Sequence, residues 1–193
     1  MSTYYLDGKC LDYPKHILQA SKEILPFLEK VKELKPKIIL EIGSGRGGTA
    51  LLFSHVIVPE GKVISLDVRD IDVGENKGQD FSKVLFCKGD SHLESTKCFI
   101  GELLKGEKID VLFIDGDHTY KGVKKDHAMY KGFVRNGGII GFHDIALCRE
   151  DNGLDDAGGN VMQFWWELKV KVRKFGEFIK DTAQGGGIGY YYR

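Results

Sequence analysis

The sequence predicts an α/β fold in which a doubly wound, mainly parallel sheet carries helices on both faces. Three observations point to it. Short apolar runs at 37–42, 62–67, 84–88, 109–115 and 138–142 each end at a glycine or an ionisable side chain. Strands buried on both faces read this way, polar only where they leave the sheet. Segments of helical period separate the runs, and strands alternating with helices make a parallel sheet. The first run passes directly into Gly43-Ser-Gly-Arg-Gly-Gly48 and then a helical segment. Strand, glycine-rich turn and helix in that order form the nucleotide-binding half of such a fold.

Taken in order, residues 1–13 are polar and aromatic without a period, and are expected to form a loose arm. Ile17, Leu18, Ile24, Leu25, Leu28, Val31 and Leu34 recur at roughly helical spacing. They predict a helix from about Pro14 to Leu34 that covers one edge of the sheet, bent or split at Pro26. Arm and helix together occupy 1–36. The first strand, Lys37–Ile42, leads to a helix from about Thr49 to Val56. The second, Lys62–Asp67, ends on an acid. The third, Val84–Lys88, runs into Gly89-Asp90-Ser91 and a helix over roughly His92–Leu104. The strand Ile109–Asp115 is followed by Gly116-Asp117-His118, a helix over Thr119–Val134 and the strand Gly138–Phe142, which ends at His143-Asp144. Residues 146–160, rich in Asp, Asn and Gly, are expected to form a long loop that leaves directly after Asp144, the position of a lid. Val161–Lys169 is a helix whose Phe164, Trp165 and Trp166 are expected mainly to pack the core. Val172–Ile179 and Gly187–Tyr192 close the sheet as an antiparallel hairpin.

Composition narrows the function. The 193 residues suit a single domain, 1–193, with a substantial core. Basic and acidic side chains balance at 28 each, so nothing argues for nucleic acid or an anionic membrane surface, and the expected substrate is small or neutral. No apolar run approaches the roughly 20 residues of a membrane span, and the first residues lack the features of a signal peptide. Cys10, Cys87, Cys98 and Cys148 are scattered and form no Cys-x-x-Cys pair, which fits reduced thiols in the cytoplasm. Tyr4, Tyr5 and Tyr191 are candidates for an exposed homo-oligomer surface.

Which nucleotide the glycine loop takes is a separate question. Gly43, Gly45 and Gly48 also satisfy the dinucleotide pattern. Three acids bear on it, and two of them argue against a dinucleotide. Glu41 stands two residues before the first glycine, where a carboxylate accepts from loop amides or a cationic ligand but is unwelcome beside a pyrophosphate. Asp67 ends the second strand, where an acid holds ribose hydroxyls in either cofactor. Asp90 ends the third, placed to receive an adenine amino group, with Ser91 beside it. Each alone could be a turn or cap residue; three at successive strand ends form a set.

Glu-Ile-Gly-Ser-Gly-Arg-Gly-Gly (41–48), Ser-Leu-Asp (65–67), Lys-Gly-Asp-Ser (88–91) and Phe-Ile-Asp-Gly-Asp-His-Thr-Tyr (113–120) resemble successive motifs of the class I S-adenosylmethionine-dependent methyltransferases. With Val-Arg-Asn-Gly-Gly-Ile-Ile-Gly-Phe-His-Asp (134–144) and Gly-Ile-Gly-Tyr (187–190), the chain is similar to the branch holding cephalosporin-hydroxylase-like proteins and macrocin-type sugar O-methyltransferases. The resemblance covers roughly 37–192. It implies a Rossmann-like, seven-stranded sheet with its last strand antiparallel. It implies S-adenosylmethionine as cofactor, in a cleft lined by Glu41, Gly43, Ser44, Gly45, Asp67, Asp90 and Asp115, with Gly47 and Ser91 in the same motifs.

Methyl transfer needs an acceptor oxygen held in line with the sulfonium and relieved of its proton. A divalent cation does this by lowering the pKa of a bound hydroxyl, and Mg2+ takes carboxylate ligands. Asp115 and Asp144 supply two. Metal-dependent O-methyltransferases of the resembling kind carry an acid where His143 stands, so the departure either shifts preference toward Mn2+ and other nitrogen-tolerant ions or makes His143 a base without metal. The expected metal set is Asp115, His143 and Asp144, and the catalytic set Asp115, His118 and His143. Asp117 and His118 could instead cap the following helix. The expected activity is O-methylation of a hydroxyl on a small-molecule acceptor. The alternatives are an NAD(P)-dependent oxidoreductase on the same glycines, weakened by the lack of a Tyr-x-x-x-Lys pair, and a non-catalytic S-adenosylmethionine-binding protein.

Overall fold

The structure, a computed structural model, describes residues 3–6, 9–12, 14–17, 19–146, 160–179 and 186–193, of 3–12 the backbone alone. The expected loose arm carries a two-stranded antiparallel hairpin, β1 (Thr3–Leu6) with β2 (Lys9–Asp12), in the register Leu6↔Lys9. Two residues, Asp7-Gly8, separate the strands in sequence, a dipeptide that favours tight hairpins. That signal outweighs the missing alternation. The first helix, α1 (Ser21–Glu33), starts later than the apolar spacing suggested and is not split by Pro26. The proline removes the helical donor to the carbonyl of Lys22, but Lys22 is exposed and water can replace that donor.

From there the chain alternates as expected: β3 (Ile38–Ile42), α2 (Gly48–Val56), β4 (Lys62–Asp67), β5 (Val84–Lys88), α3 (Glu94–Leu104), β6 (Ile109–Ile114), α4 (Tyr120–Tyr130), β7 (Val134–His143), α5 (Val161–Lys169), β8 (Phe175–Phe178) and β9 (Ile188–Tyr192). The strands form one seven-stranded sheet in the order β5-β4-β3-β6-β7-β9-β8, with β9 antiparallel to both neighbours. The order reverses between β3 and β6, so the switch point falls where α/β sheets bind ligands. Strand β7 begins four residues earlier than its apolar run. Val134 pairs with Ile109, the register then shifts, and Ile139 pairs with Val111. Gly137, at φ +74°, takes up the irregularity. The loop expected as a lid, 146–160, lies outside the described residues except for Ala146 and Asn160.

Two apolar clusters sandwich the sheet. On one face α1 and α2 bury Ile24, Phe27, Leu28, Val31, Leu52 and Phe53 against Ile39, Val111 and Phe113. On the other, α3, α4 and α5 bury Ile100, Val123, Tyr130, Phe164 and Trp165 against Leu40, Leu112 and Phe142. A Cβ at Gly189 would stand 2.6 Å from the Trp165 ring, so that glycine lets the indole lie on the backbone of β9. Of the three aromatics of α5, Phe164 and Trp165 are core residues while Trp166 is 59% exposed. Tyr191, expected at the surface, is buried: β9 is an inner strand here, and its hydroxyl meets Nε2 of His127 at 2.7 Å. No described helix is long and apolar enough to cross a membrane.

His127 packs between the Phe142, Phe164 and Tyr191 rings, and its burial, with nearby Lys131, pushes its pKa down to about 4. Between the ordinary value near 6.5 and 4, the unfolded chain binds a proton here and the folded chain does not. Stability therefore falls as pH drops through that window, by about 3 kcal/mol from this group. Urea unfolding between pH 7 and pH 4 should show a shallower loss for His127→Gln than for wild type; equal slopes would exclude the assignment.

Candidate active site

The carboxyl ends of β3, β4, β5, β6 and β7 open on one cleft of about 880 Å³, within the roughly 300–1,000 Å³ of small-ligand sites. The glycine loop forms one wall. Gly43 has φ +96°, and a Cβ there would lie 2.0 Å from the Asp115 carbonyl oxygen. No other residue fits this crossing of the β3 and β6 ends. The crossing is tied by backbone bonds from Gly43 N–H to the Leu66 carbonyl and from Asp115 N–H to the Ile42 carbonyl, both 2.8 Å. Ser44, Gly45 and Arg46 continue this wall; Asp67, Asp90, Ser91 and His92 line the next.

Asp67 accepts from the N–H groups of Gly45 at 3.2 Å and Arg69 at 2.9 Å, and from Arg69 Nε at 3.2 Å. Burial works against its ionisation, but these donors outweigh burial and hold its pKa below the ordinary carboxylate value. Asp90 accepts from His92 N–H at 2.8 Å, and the Ser91 carbonyl accepts from the Tyr130 hydroxyl at 2.9 Å. Two expected residues stand off the wall. Glu41 is buried beneath it, accepting from Ser65, whose hydroxyl meets that of Ser44 at 2.6 Å. Burial, helped by Asp115 and Asp67, pushes Glu41 up to about 8. Gly47, left-handed at φ +74°, precedes α2 and faces the rings of Phe86 and Phe81. A strand of uniform apolar burial gives no sequence signal for which way Glu41 points.

At the other end of the cleft, ionisable groups converge. His118 sits between two acids, Nε2 3.4 Å from Asp115 Oδ1 and Nδ1 3.3 Å from Asp144 Oδ2. His143 directs Nδ1 at the same acids, 3.3 Å from Asp115 Oδ1 and 3.4 Å from Asp144 Oδ1, and Nε2 at Glu23 Oε2, 3.7 Å away. Burial alone would raise the Asp115 pKa, but His143 and His118 bring it down to about 2. The Asp115 hydrogen bond foremost raises the His118 pKa. His143 rises well above the ordinary value against the cost of its burial, because Asp115, Glu23 and Asp144 face it. Asp144 holds its place in a left-handed backbone, φ +61°, a modest strain for a non-glycine residue. Thr119, not Asp117, caps α4: its Oγ1 accepts from Gly122 N–H at 3.0 Å, while Asp117 accepts from Thr119 N–H at 2.9 Å in the turn just before the helix.

Two side chains in this cluster were missed in the sequence. Gln19 donates from Nε2 to Asp115 Oδ2. Glu23, 3% exposed, comes from α1. An acid one turn before Phe27 on the buried stripe was the available signal for Glu23; Gln19 carried none. Among the described residues, the donor atoms that fit one ion are those of Asp115, His118 and Asp144, all within 4.8 Å of one another. His118 thus takes the third place expected of His143, which is turned between the acids and Glu23. Two carboxylates and an imidazole are a suitable donor set for a divalent cation, with the nitrogen favouring Mn2+ over Mg2+.

Gly43→Ala should cost about 2–5 kcal/mol in urea unfolding, from steric clash plus backbone strain. Gly45→Ala, where a Cβ meets nothing within 4 Å, should cost only about 1 kcal/mol; equal costs would contradict the crossing geometry. Glu41 keeps its proton to about pH 8 in the fold but loses it near its ordinary value when unfolded. Its contribution to stability therefore fades as pH rises between those values. Glu41→Gln should flatten that decline in unfolding curves recorded at pH 5 and pH 8.

The family model described as a methyltransferase domain matches residues 40–145. One curated relative, the ribosomal RNA large subunit methyltransferase E of Methanocaldococcus jannaschii, is 30% identical over 129 residues, 65% of this chain and 49% of the relative. The chain thus spans about half that relative's length. Another, the rhamnosyl O-methyltransferase of Mycobacterium leprae, is 25% identical over 200 residues, 99% of this chain and 80% of the relative. Among solved structures, an O-methyltransferase from Bacillus cereus in complex with SAH superposes with a TM-score of 0.65 at 19% identity, over 94% of this chain and 84% of that one. The MycE methyltransferase of the mycinamycin biosynthetic pathway, in complex with Mg, SAH and mycinamycin VI, gives 0.63 at 19%, over 87% and 48%. Between the two cofactor readings that the glycine loop allows, the family match decides against the dinucleotide. The chain belongs to the methyltransferase domain family and has the fold of the class I S-adenosylmethionine-dependent methyltransferases.

Proposed function

We propose that the chain transfers the methyl group of S-adenosylmethionine to a hydroxyl oxygen of a small-molecule acceptor. The observation that carries this reading is that one cleft joins a glycine loop and two strand-end acids to a separate cluster of acids and histidines. On the cofactor side, Gly43, Ser44 and Gly45 cradle the amino-acid part, Asp67 takes the ribose hydroxyls, and Asp90 with Ser91 takes the adenine. For Asp67 to do so, Arg69, 75% exposed, swings away into solvent. On the acceptor side, Asp115, Asp144 and His118 would hold a divalent cation, Mn2+ or Mg2+, which when bound acidifies the acceptor hydroxyl. Where no cation is bound, His118, the most exposed of the group with its side chain 39% exposed, is instead the residue placed to meet the acceptor and take up its proton. His143, fixed between Asp115, Asp144 and Glu23, orients the acids. Orientation supplies most of the rate, because the sulfonium is already activated toward an in-line nucleophile.

The rhamnosyl O-methyltransferase relative favours a sugar hydroxyl as acceptor. The ribosomal RNA methyltransferase relative offers RNA as acceptor instead, but this chain has no net charge, and phosphate-backbone binding is driven by positive charge. Unpaired Cys87 and Cys98 suit a reducing cytoplasm.

Calorimetry with S-adenosylhomocysteine tests the cofactor half. Wild type should bind it, and Asp67→Ala should bind it at least about tenfold more weakly, the value of hydrogen bonds to a charged group. No binding by wild type would sink the proposal. Labelled S-adenosylmethionine offered with sugars, catechols, polyketide alcohols and RNA, with and without Mn2+, tests the acceptor half. His118→Asn should lower turnover by about 10²–10⁴ where it serves as proton acceptor. Labelling of RNA alone would overturn the small-molecule reading, and tight cofactor binding with no acceptor methylated would favour a non-catalytic binding protein.

A further inference from the structure

Gln19 bridges the two halves of the cleft. It lies just before α1, outside the residues matched by the methyltransferase domain, and is 5% exposed. Thr49 Oγ1 donates to its Oε1 at 2.6 Å, and its Nε2 donates to Asp115 Oδ2. Chemistry fixes the direction of the amide. An ionised carboxylate only accepts, so the NH2 end must face Asp115, and the carbonyl end is left for a hydroxyl that can donate. Thr49 belongs to the first turn of α2, directly after the glycine loop. One neutral side chain therefore spans from the cofactor-loop helix to the acid at the acceptor end.

The consequence falls on the other oxygen of that acid. With Oδ2 bonded to the amide, Oδ1 is the oxygen 3.4 Å from His118 Nε2 and 3.3 Å from His143 Nδ1. We infer that Gln19 is a positioning residue: it occupies one oxygen of Asp115 and presents the other, alone, to a divalent cation bound with His118 and Asp144. The inference rests on the metal reading proposed above. A neutral amide suits the task, since a cation in its place would neutralise Asp115 as a ligand and a carboxylate would repel it. The segment that carries Gln19 has a second tether. Asn76, buried, holds that segment separately: it accepts from His16 N–H at 3.0 Å and donates to the carbonyls of His16 at 2.8 Å and Arg46 at 3.0 Å.

The test is Mn2+ binding to the full chain, followed by electron paramagnetic resonance. Thermal melting serves as the check that each variant is folded. Gln19→Met keeps the length of the side chain and removes both hydrogen-bonding ends. It should weaken Mn2+ about 10–100-fold, the usual cost of losing a partner of a metal ligand. Thr49→Val, at the far end of the bridge, should weaken it in the same direction, and Thr49→Ser, which keeps the hydroxyl, should restore it. Because Gln19 acts through Asp115, Gln19→Met combined with Asp115→Asn should bind no more weakly than Asp115→Asn alone. Wild-type affinity in Gln19→Met beside a loss in Asp115→Asn would overturn the inference and leave the metal reading standing. So would losses that simply add in the double variant. Wild-type affinity in both single variants, or no Mn2+ bound by wild type, would overturn the metal reading and the inference with it.

Discussion

The site depends on one backbone contact. The β3 strand leaves the sheet through Gly43, and at that residue its chain lies against the carbonyl of Asp115 at the end of β6. The contact is only as close as it is because residue 43 has no Cβ and accepts a positive φ. It brings the start of the glycine loop and the first acid of the acceptor cluster to adjacent backbone positions. The two halves of the cleft are thereby registered by rigid strands rather than by loops, which is the arrangement that holds reacting groups most accurately. The apolar layers on either face of the sheet keep β3 and β6 in place, and in that sense the core serves the geometry of the cleft.

Charge at the acceptor end is concentrated to a degree that packing alone would not favour. Glu23, Asp144 and His143 are each less than a tenth exposed, and the Asp115 side chain is 10% exposed. Such groups are tolerated in an interior only when paired. The histidines supply the pairing in the apo chain, and the depressed Asp115 and raised His118 and His143 are two sides of one interaction. In the proposed metal-bound form, a divalent cation would take over from the imidazolium protons as the positive charge facing the acids. The remote acid, Glu41, behaves in the opposite way. Burial, with Asp115 and Asp67 nearby, pushes it toward the neutral form, and it ties Ser65 and Ser44 into the base of the loop.

Much of the fold was legible because buried parallel strands have a distinctive sequence pattern. β4 and β5 matched their apolar runs at both ends, and α5 matched its helical segment. The departures came where local signals competed. A hairpin dipeptide outweighed the absence of alternation in the arm. Solvent access to Lys22 let α1 continue through Pro26. A glycine-centred irregularity at 137 extended β7 beyond its apolar run. In the site, the strand-end acids were readable because the polarity changes abruptly there. Gln19 and Glu23 were not, since they come from a segment with no strand-end pattern and reach Asp115 and His143 only through the fold.

The sequence by itself determined the strand and helix order, the glycine loop, and the acids and histidines that end the strands. These follow from local period, backbone permissiveness and the chemistry of individual residue types. Tertiary structure decided which side chains share atoms: that Glu41 and Gly47 stand off the cleft wall, that His118 rather than His143 completes the group around Asp115 and Asp144, and that Gln19 reaches Asp115. Those outcomes depend on side-chain direction at distances of a few ångströms between residues tens of positions apart. One-dimensional periodicity carries no information on such contacts, because they are fixed by the packing of α1 and α2 against the sheet.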